Sequence, residues 1–151
     1  MTQPAVHPIP TALSAQSQAT LTAWHAMLES GNMDALDDLF AEDVVFRSPV
    51  AHTAYPGRTA TTLVLRTVNT VFEDFQYHRS FATDDGASVV LEFSANVSGK
   101  SLKGIDMIRF NASGKIVEFE VMVRPETGLQ ALGATMGAKL ADKLAVLKSE
   151  A

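Results

Sequence analysis

At 151 residues, 46% of them apolar and 19% charged, the chain has the composition of one globular domain with a sizeable core, which argues against disordered and membrane classes. A net charge of −5, with no basic cluster beyond the scattered Lys139, Lys143 and Lys148, argues against a nucleic-acid footprint or an anionic membrane surface. The complete absence of Cys removes disulfides, thiolate nucleophiles and Cys-ligated metals together.

Residues 1 to about 17 hold Pro4, Pro8 and Pro10 among Ser, Thr and Gln and show no apolar period, so a flexible arm is expected there. This start lacks the basic residues and apolar run of a signal peptide, and a cytoplasmic location is expected. The domain proper should run from residue 18 to 151. Leu21, Trp24, His25 and Leu28 fall on one helical face, which stops at Ser30-Gly31. Asn32 then caps a short helix carrying Leu36, Leu39 and Phe40. Val44-Val45-Phe46 reads as a brief strand ending near Pro49. A loop with His52, Tyr55, Pro56 and Gly57 leads into a third helix, with Val64, Val68, Val71 and Phe72 on one side.

After Asp74 the period becomes extended, with strands expected over about 75 to 83, 87 to 97, 101 to 111 and 115 to 124. The turns Asp84-Asp85-Gly86, Ser98-Gly99-Lys100 and Asn111-Ala112-Ser113-Gly114 separate them. Beyond Pro125 a helix over 126 to 148 carries Leu129, Leu132, Met136, Leu140, Leu144 and Leu147, a stripe that must lie on the sheet or on a partner subunit. Segregated helices and strands predict an α+β fold, a curved antiparallel sheet wrapping the N-terminal helix and leaving a conical cavity.

A carboxylate, Asp106, sits in the middle of an otherwise apolar strand, where a charge must be paired, neutralised or kept for chemistry. If Phe110 faces Lys115 across the last hairpin, Asp106 lies opposite Phe119 and shares an apolar face with Ile108, Val117, Val121 and Val123. The other face then receives Met107, Arg109, Glu118, Glu120 and Arg124, with Arg109 and Glu118 as diagonal neighbours in a solvated ion pair or a subunit contact. With a three-residue turn at 98 to 100, Val97 meets Ser101 and Glu92 stands opposite Asp106. Two carboxylates so placed would hold a proton near neutral pH and form an acid/base pair or an oxyanion donor. A bulge that shifts the register, or neutralisation of Glu92 by Tyr77 or Arg79, is the alternative. Metal spacing is absent from the four histidines, and Ser48 lacks a nucleophile elbow, so neither a metal site, another cofactor nor a serine nucleophile is expected.

Leu36-Asp37-Asp38-Leu39-Phe40-Ala41-Glu42-Asp43-Val44-Val45-Phe46, Ser48-Pro49-Val50, Tyr55-Pro56-Gly57-Arg58 and Gly104-Ile105-Asp106-Met107-Ile108-Arg109-Phe110 resemble the SnoaL-like and ketosteroid isomerase-like proteins of the nuclear transport factor 2-like superfamily, over about residues 18 to 130. The resemblance implies a cone-shaped fold, a homodimer and a pocket for a small apolar molecule bearing an oxygen. Asp106 matches the strand Asp that serves ketosteroid isomerases as an oxyanion donor. The helix Tyr of that family is replaced by Trp24 and its base Asp by Ser48, which cannot act as a carboxylate base, so a standard ketosteroid isomerase is not implied. Limonene epoxide hydrolases place an Arg where this chain has Gly104. The candidate acid/base residues are therefore Asp106 and Glu92. Trp24, Phe40, Phe46, Ser48, Tyr77, Arg79, Val90, Phe119 and Val121 are the candidate ligand contacts, and His52 and Tyr55 are candidates for the rim. Either isomerisation, cyclisation or hydrolysis at the ligand's oxygen, or binding without catalysis, fits these residues.

Overall fold

The structure is a computed structural model describing residues 9–150, with side chains as far as Ala141 and at Lys143. Helices α1 (Ala15–Ser30), α2 (Arg58–Val71) and α3 (Glu126–Glu150) pack with a sheet of β1 (Phe40–Arg47), β2 (Tyr55–Pro56), β3 (Glu73–Ala82), β4 (Ser88–Val97), β5 (Lys100–Phe110) and β6 (Ile116–Arg124). The strand order is β2-β1-β6-β5-β4-β3, so the sheet stays open with β2 and β3 at its edges. β1 runs parallel to β6 and the other pairs are antiparallel. The fold is α+β, as the segregated periods implied.

The expected arm falls partly outside the described residues, which begin at Ile9. From there onward the chain is packed. Leu13 is buried, Ser14 caps α1 by accepting from the Ser17 amide, and the helix begins three residues before Gln18. Two hairpin turns hold this start: the Ser14 amide donates to the Gly86 carbonyl, and Thr20 donates to the Gly114 carbonyl at 2.6 Å. Gly114 has φ +85°, and a Cβ there would come within 2.6 Å of the Gln16 carbonyl oxygen, so both conformation and space require glycine. Leu36–Leu39 forms a single 3₁₀ turn, after Asn32 accepts from the Asp34 amide, and Phe40 already belongs to β1.

The core fills the space between the sheet's inner face and the helices. Phe40, Phe93, Phe119, Leu36, Leu91 and Ile108 are among its fully buried large side chains. Each such side chain stabilises the fold by roughly 1.5–3 kcal/mol relative to exposure. α3 does not simply cover the sheet. Leu132, Gly133, Met136, Gly137, Leu140 and Ala141, one helical face, line a cavity between the layers. Leu144 and Leu147, expected on the same stripe, lie outside the described side chains.

Register decides which face each carboxylate takes. β4 and β5 are joined by the two-residue turn Ser98-Gly99, both residues in the left-handed region at φ 49° and 78°, as the twist of a tight hairpin favours. Val97 therefore pairs with Lys100, not Ser101, and the whole ladder moves by one residue. Asp106 lies opposite Leu91, and Glu92 opposite Ile105 on the outer face. In the last hairpin Phe110 pairs with Ile116 rather than Lys115, and a bulge follows before Arg109 meets Glu118 directly. Asp106 consequently lies opposite Val121, not Phe119, but the even shift keeps it facing inward. Glu118 makes its ion pair with Arg47 of β1, at 3.8 Å.

Candidate functional site

The cavity has a volume of about 350 Å³, within the size class of small-ligand pockets. Phe46, Phe119 and Val121 supply apolar wall from β1 and β6, and Val64, Leu65 and Val68 from α2. Into this surface project Trp24 from α1, Tyr77 from β3 and Asp106 from β5.

These three side chains form a chain of hydrogen bonds. Trp24 Nε1 donates to the Tyr77 hydroxyl oxygen at 2.9 Å, and the Tyr77 hydroxyl donates to Asp106 Oδ2 at 2.6 Å. An indole nitrogen can only donate, so it fixes the polarity of the chain from Trp24 towards Asp106. Packing holds each ring in place. Trp24 meets Phe119 edge-on with centroids 5.4 Å apart, and Tyr77 stands edge-on to both Phe75 at 4.8 Å and His25 at 5.2 Å. Tyr77 reaches the site because it pairs with Phe93 on the inner face just before a bulge, which turns His78 and Arg79 outward.

Asp106 is 6% exposed. Burial pushes its carboxyl up from the ordinary 3.8 to about 7, and the Tyr77 hydrogen bond pulls the other way. Burial, and then the charge of Asp106, raise the Tyr77 phenol well above its ordinary value, so it remains a donor. A group that titrates near neutrality in an apolar cavity can both give and take a proton at working pH.

Glu92 does not join this group. On the outer face its Oε1 accepts from Arg79 Nε at 2.9 Å and its Oε2 from Arg79 Nη2 at 2.7 Å, with Lys103 Nζ 3.0 Å away. Hydrogen bonds from Arg79, then Lys103, hold its carboxyl far below the usual carboxylate range. The expected Glu92–Asp106 pair is therefore absent, because the two-residue turn moves Glu92 through the sheet. Arg79 points outward with it, over the Phe81 ring at 5.5 Å. Val90 also faces outward, between Phe81 and Met107. Phe40 is buried behind Phe119, with ring centroids 6.4 Å apart, and does not line the cavity. Trp24, Phe46, Ser48, Tyr77, Phe119 and Val121 do line it, as does Tyr55, whereas His52 is exposed in the loop.

Two contributions escaped the sequence reading. Asn69 on α2 lines the cavity, and the signal was present: it follows Leu65 by four residues and precedes Phe72 by three on an apolar helical face. The other is the α3 face around Gly133 and Gly137, which interrupts a leucine stripe with residues lacking side chains. Gly104, where limonene epoxide hydrolases resemble this chain but carry an Arg, has no room for one: a Cβ would lie against the Met122 carbonyl oxygen and 2.7 Å from Phe93 Cζ. Among the described residues no group of three or more His, Asp and Glu side chains is placed to hold a metal ion.

The SnoaL-like domain family matches residues 21–119, more than half of the chain and nearly all of the cavity's sheet wall. The chain is a SnoaL-like protein. It is similar to a steroid delta-isomerase from Pseudomonas aeruginosa, with 56% identity, 88% of this chain and 97% of that one covered, and a TM-score of 0.85. It is also similar to an uncharacterised protein with a cystatin-like fold from Silicibacter pomeroyi, at 32% identity over 85% and 90% of the two chains and a TM-score of 0.78. A nuclear transport factor 2-like protein of unknown function from Mesorhizobium loti shares the fold at 21% identity, over 79% and 98% of the chains and a TM-score of 0.64. None of the curated proteins compared matches the chain. This SnoaL-like protein thus has the superfamily's cone of sheet and helices, and no helix among the described residues is long and apolar enough to cross a membrane.

Proposed function

We propose that this SnoaL-like protein binds an apolar small molecule bearing a carbonyl or related oxygen and moves a proton at that oxygen through Asp106, in an isomerase- or cyclase-type reaction. The observation that carries this reading is the buried Asp106 carboxyl, titrating near 7 in an apolar cavity and receiving the Tyr77 hydroxyl at Oδ2. With Oδ2 accepting from Tyr77, the hydrogen of the neutral carboxyl belongs on Oδ1, from which it donates to the ligand's oxygen. Negative charge that develops on that oxygen is then stabilised by a short charge-assisted hydrogen bond in a site of low polarity. The likeness to a steroid delta-isomerase at 56% identity supports a ring-bearing ketone as the ligand class.

Asp106 is the one carboxylate among the described residues lining the cavity, and by resemblance Ser48 matches the position at which ketosteroid isomerases carry their base. Isomerisation here then balances on one carboxyl: Asp106 gives its hydrogen to the carbonyl oxygen, its carboxylate takes the α-carbon hydrogen and returns it at the γ-carbon, and it recovers the first proton from the oxygen. The test is incubation with a β,γ-unsaturated steroid ketone while the ultraviolet absorbance of the conjugated product is followed. We expect turnover that Asp106→Asn lowers by about 10²- to 10⁴-fold while the variant stays folded. We expect kcat/KM to fall above pH 7 as Asp106 loses its hydrogen; a rise through pH 7 would make Asp106 the base instead. Unchanged activity in Asp106→Asn would overturn the assignment.

The lone carboxylate also favours a second reading, a binding module in which Asp106 only orients the ligand. Saturable binding of the ketone with no product after long incubation would establish it. In either reading we place the protein in the cytoplasm as a homodimer joined through the sheet's outer face, where Phe81 and Met107 stand exposed on either side of Val90. Analytical ultracentrifugation of wild type and of Met107→Glu tests the dimer, and a monomeric wild type would exclude it.

A further inference from the structure

The cavity has a polar group that the proton-transfer reading does not use. Asn69 lies on α2, whereas Tyr77 and Asp106 belong to the sheet, so these polar groups come from different walls. Leu65 and Phe72 beside Asn69 on α2 and Phe119 and Val121 beside Asp106 on the sheet are apolar, and Ser48 and Tyr55 are further polar side chains of the lining. Met136 and Leu140 of α3 complete the wall around α2, and the Lys139 to Thr70 contact at 3.4 Å holds these two helices side by side.

Neighbouring polar residues on α2 satisfy themselves within the helix: the Thr67 hydroxyl donates to the Leu63 carbonyl at 2.7 Å and the Thr70 hydroxyl to the Thr67 carbonyl at 2.6 Å. Asn69 makes no such local bond. Its half-buried amide makes no hydrogen bond to another described residue, although it offers two donors and an acceptor oxygen. A primary amide in an apolar wall is costly to desolvate unless whatever fills the cavity bonds to it. Its ability both to donate and to accept suits a hydroxyl or a carbonyl equally.

We propose that Asn69 is a specificity-determining residue that binds a second oxygen of the ligand, so that the preferred ligand is a rigid apolar ring system with an oxygen at each end. One oxygen meets Asp106 and the other meets Asn69, which fixes the direction in which the molecule enters and hence which carbon lies beside the carboxyl. The inference rests on the ketone-binding reading given above and adds the second anchor.

The experiment is isothermal titration calorimetry with two steroid ketones that share one carbonyl and differ only in having or lacking an oxygen at the opposite end. Wild type should bind the two-oxygen ketone about fivefold to tenfold more tightly. Asn69→Leu should abolish that difference. Asn69→Ala gives the same comparison should the leucine variant fail to fold. A preference that persists in these variants, or no preference in wild type, overturns the inference. Asp106→Asn separates the two readings. If it weakens both ketones equally while the Asn69 variants change nothing, Asp106 binding stands and the second anchor falls. If it changes neither ketone while the Asn69 effect remains, the second anchor stands and the Asp106 contact falls. Failure of wild type to bind either ketone overturns both.

Discussion

Tyr77 and Asp106 lie 29 residues apart on two strands that are not neighbours, yet the Tyr77 hydroxyl donates to Asp106 Oδ2 across 2.6 Å. β4 runs between them, and its Phe93 and Leu91 are opposite Tyr77 and Asp106 respectively. Sheet curvature brings the flanking side chains together over that strand. Because Trp24 can only donate, the Tyr77 hydrogen is directed at the carboxyl, and the ionisation of Asp106 becomes coupled to the packing of α1.

Asp106 should make stability fall as pH rises. Its folded value of about 7 lies above the ordinary 3.8, so the folded state binds the proton more tightly than the unfolded chain does. The contribution is present in full below the ordinary value, declines as pH rises, and is lost above about 7. At roughly 1.4 kcal/mol per unit the total is on the order of 4 kcal/mol. Asp106→Asn keeps the acceptor for Tyr77 but cannot ionise. Urea denaturation from pH 4 to 9 should therefore show this part of the slope in wild type and not in the variant, which should be the more stable of the two above pH 7.

Tyr77→Phe removes the donor to Asp106 and leaves the buried Trp24 N–H without its acceptor. The loss of one buried hydrogen bond and the stranding of another group should cost about 1–3 kcal/mol. Since the Tyr77 bond holds the Asp106 carboxyl down, its midpoint should move up in the variant. Carboxyl-carbon NMR titration reads that shift directly, and a midpoint that moves down would contradict the proposed polarity.

Glu92→Gln should leave ligand affinity and turnover unchanged, because the side chain lies on the outer face with Arg79 and Lys103. Its effect should appear as altered acid stability. The carboxyl is held below its usual range, so its contribution is present above the usual carboxylate value and is lost as pH falls below it. Parallel acid-denaturation and ketone-binding curves for the two proteins check both halves of this expectation.

Gly104→Ala and Gly137→Ala should act in opposite directions. A Cβ at Gly104 meets the Met122 backbone and the Phe93 ring, and forcing one in should destabilise by about 1–3 kcal/mol or more. At Gly137 a Cβ meets nothing within 4 Å, and in the interior of α3 alanine should gain up to about 1 kcal/mol of helix propensity. Thermal melts distinguish the two, and the added methyl at Gly137 should also narrow the cavity it lines.

Periodicity and turn chemistry were enough to predict the α+β class and the meander of β3 to β6, while the family resemblance rested on particular residue blocks such as Gly104 to Phe110. Alternating apolar residues determine which elements bury a face, and a carboxylate in the middle of such a strand stands out without coordinates. Asp106 was legible in that way. Its partner was not. Whether a hairpin turn holds two residues or three depends on Ser98 adopting a left-handed conformation, which serine can take but does not advertise, and that single residue carried Glu92 from the cavity to the outer face. The bulge after Tyr77 likewise sends Arg79 to the other face, although strict alternation would put residues two apart on the same one. Local pattern governs the face of a strand, while the meeting of Trp24, Tyr77 and Asp106, and the closure of the cavity by α3, depend on sheet curvature and packing between distant segments. Those are long-range relations, and only the folded chain brings them within hydrogen-bonding distance.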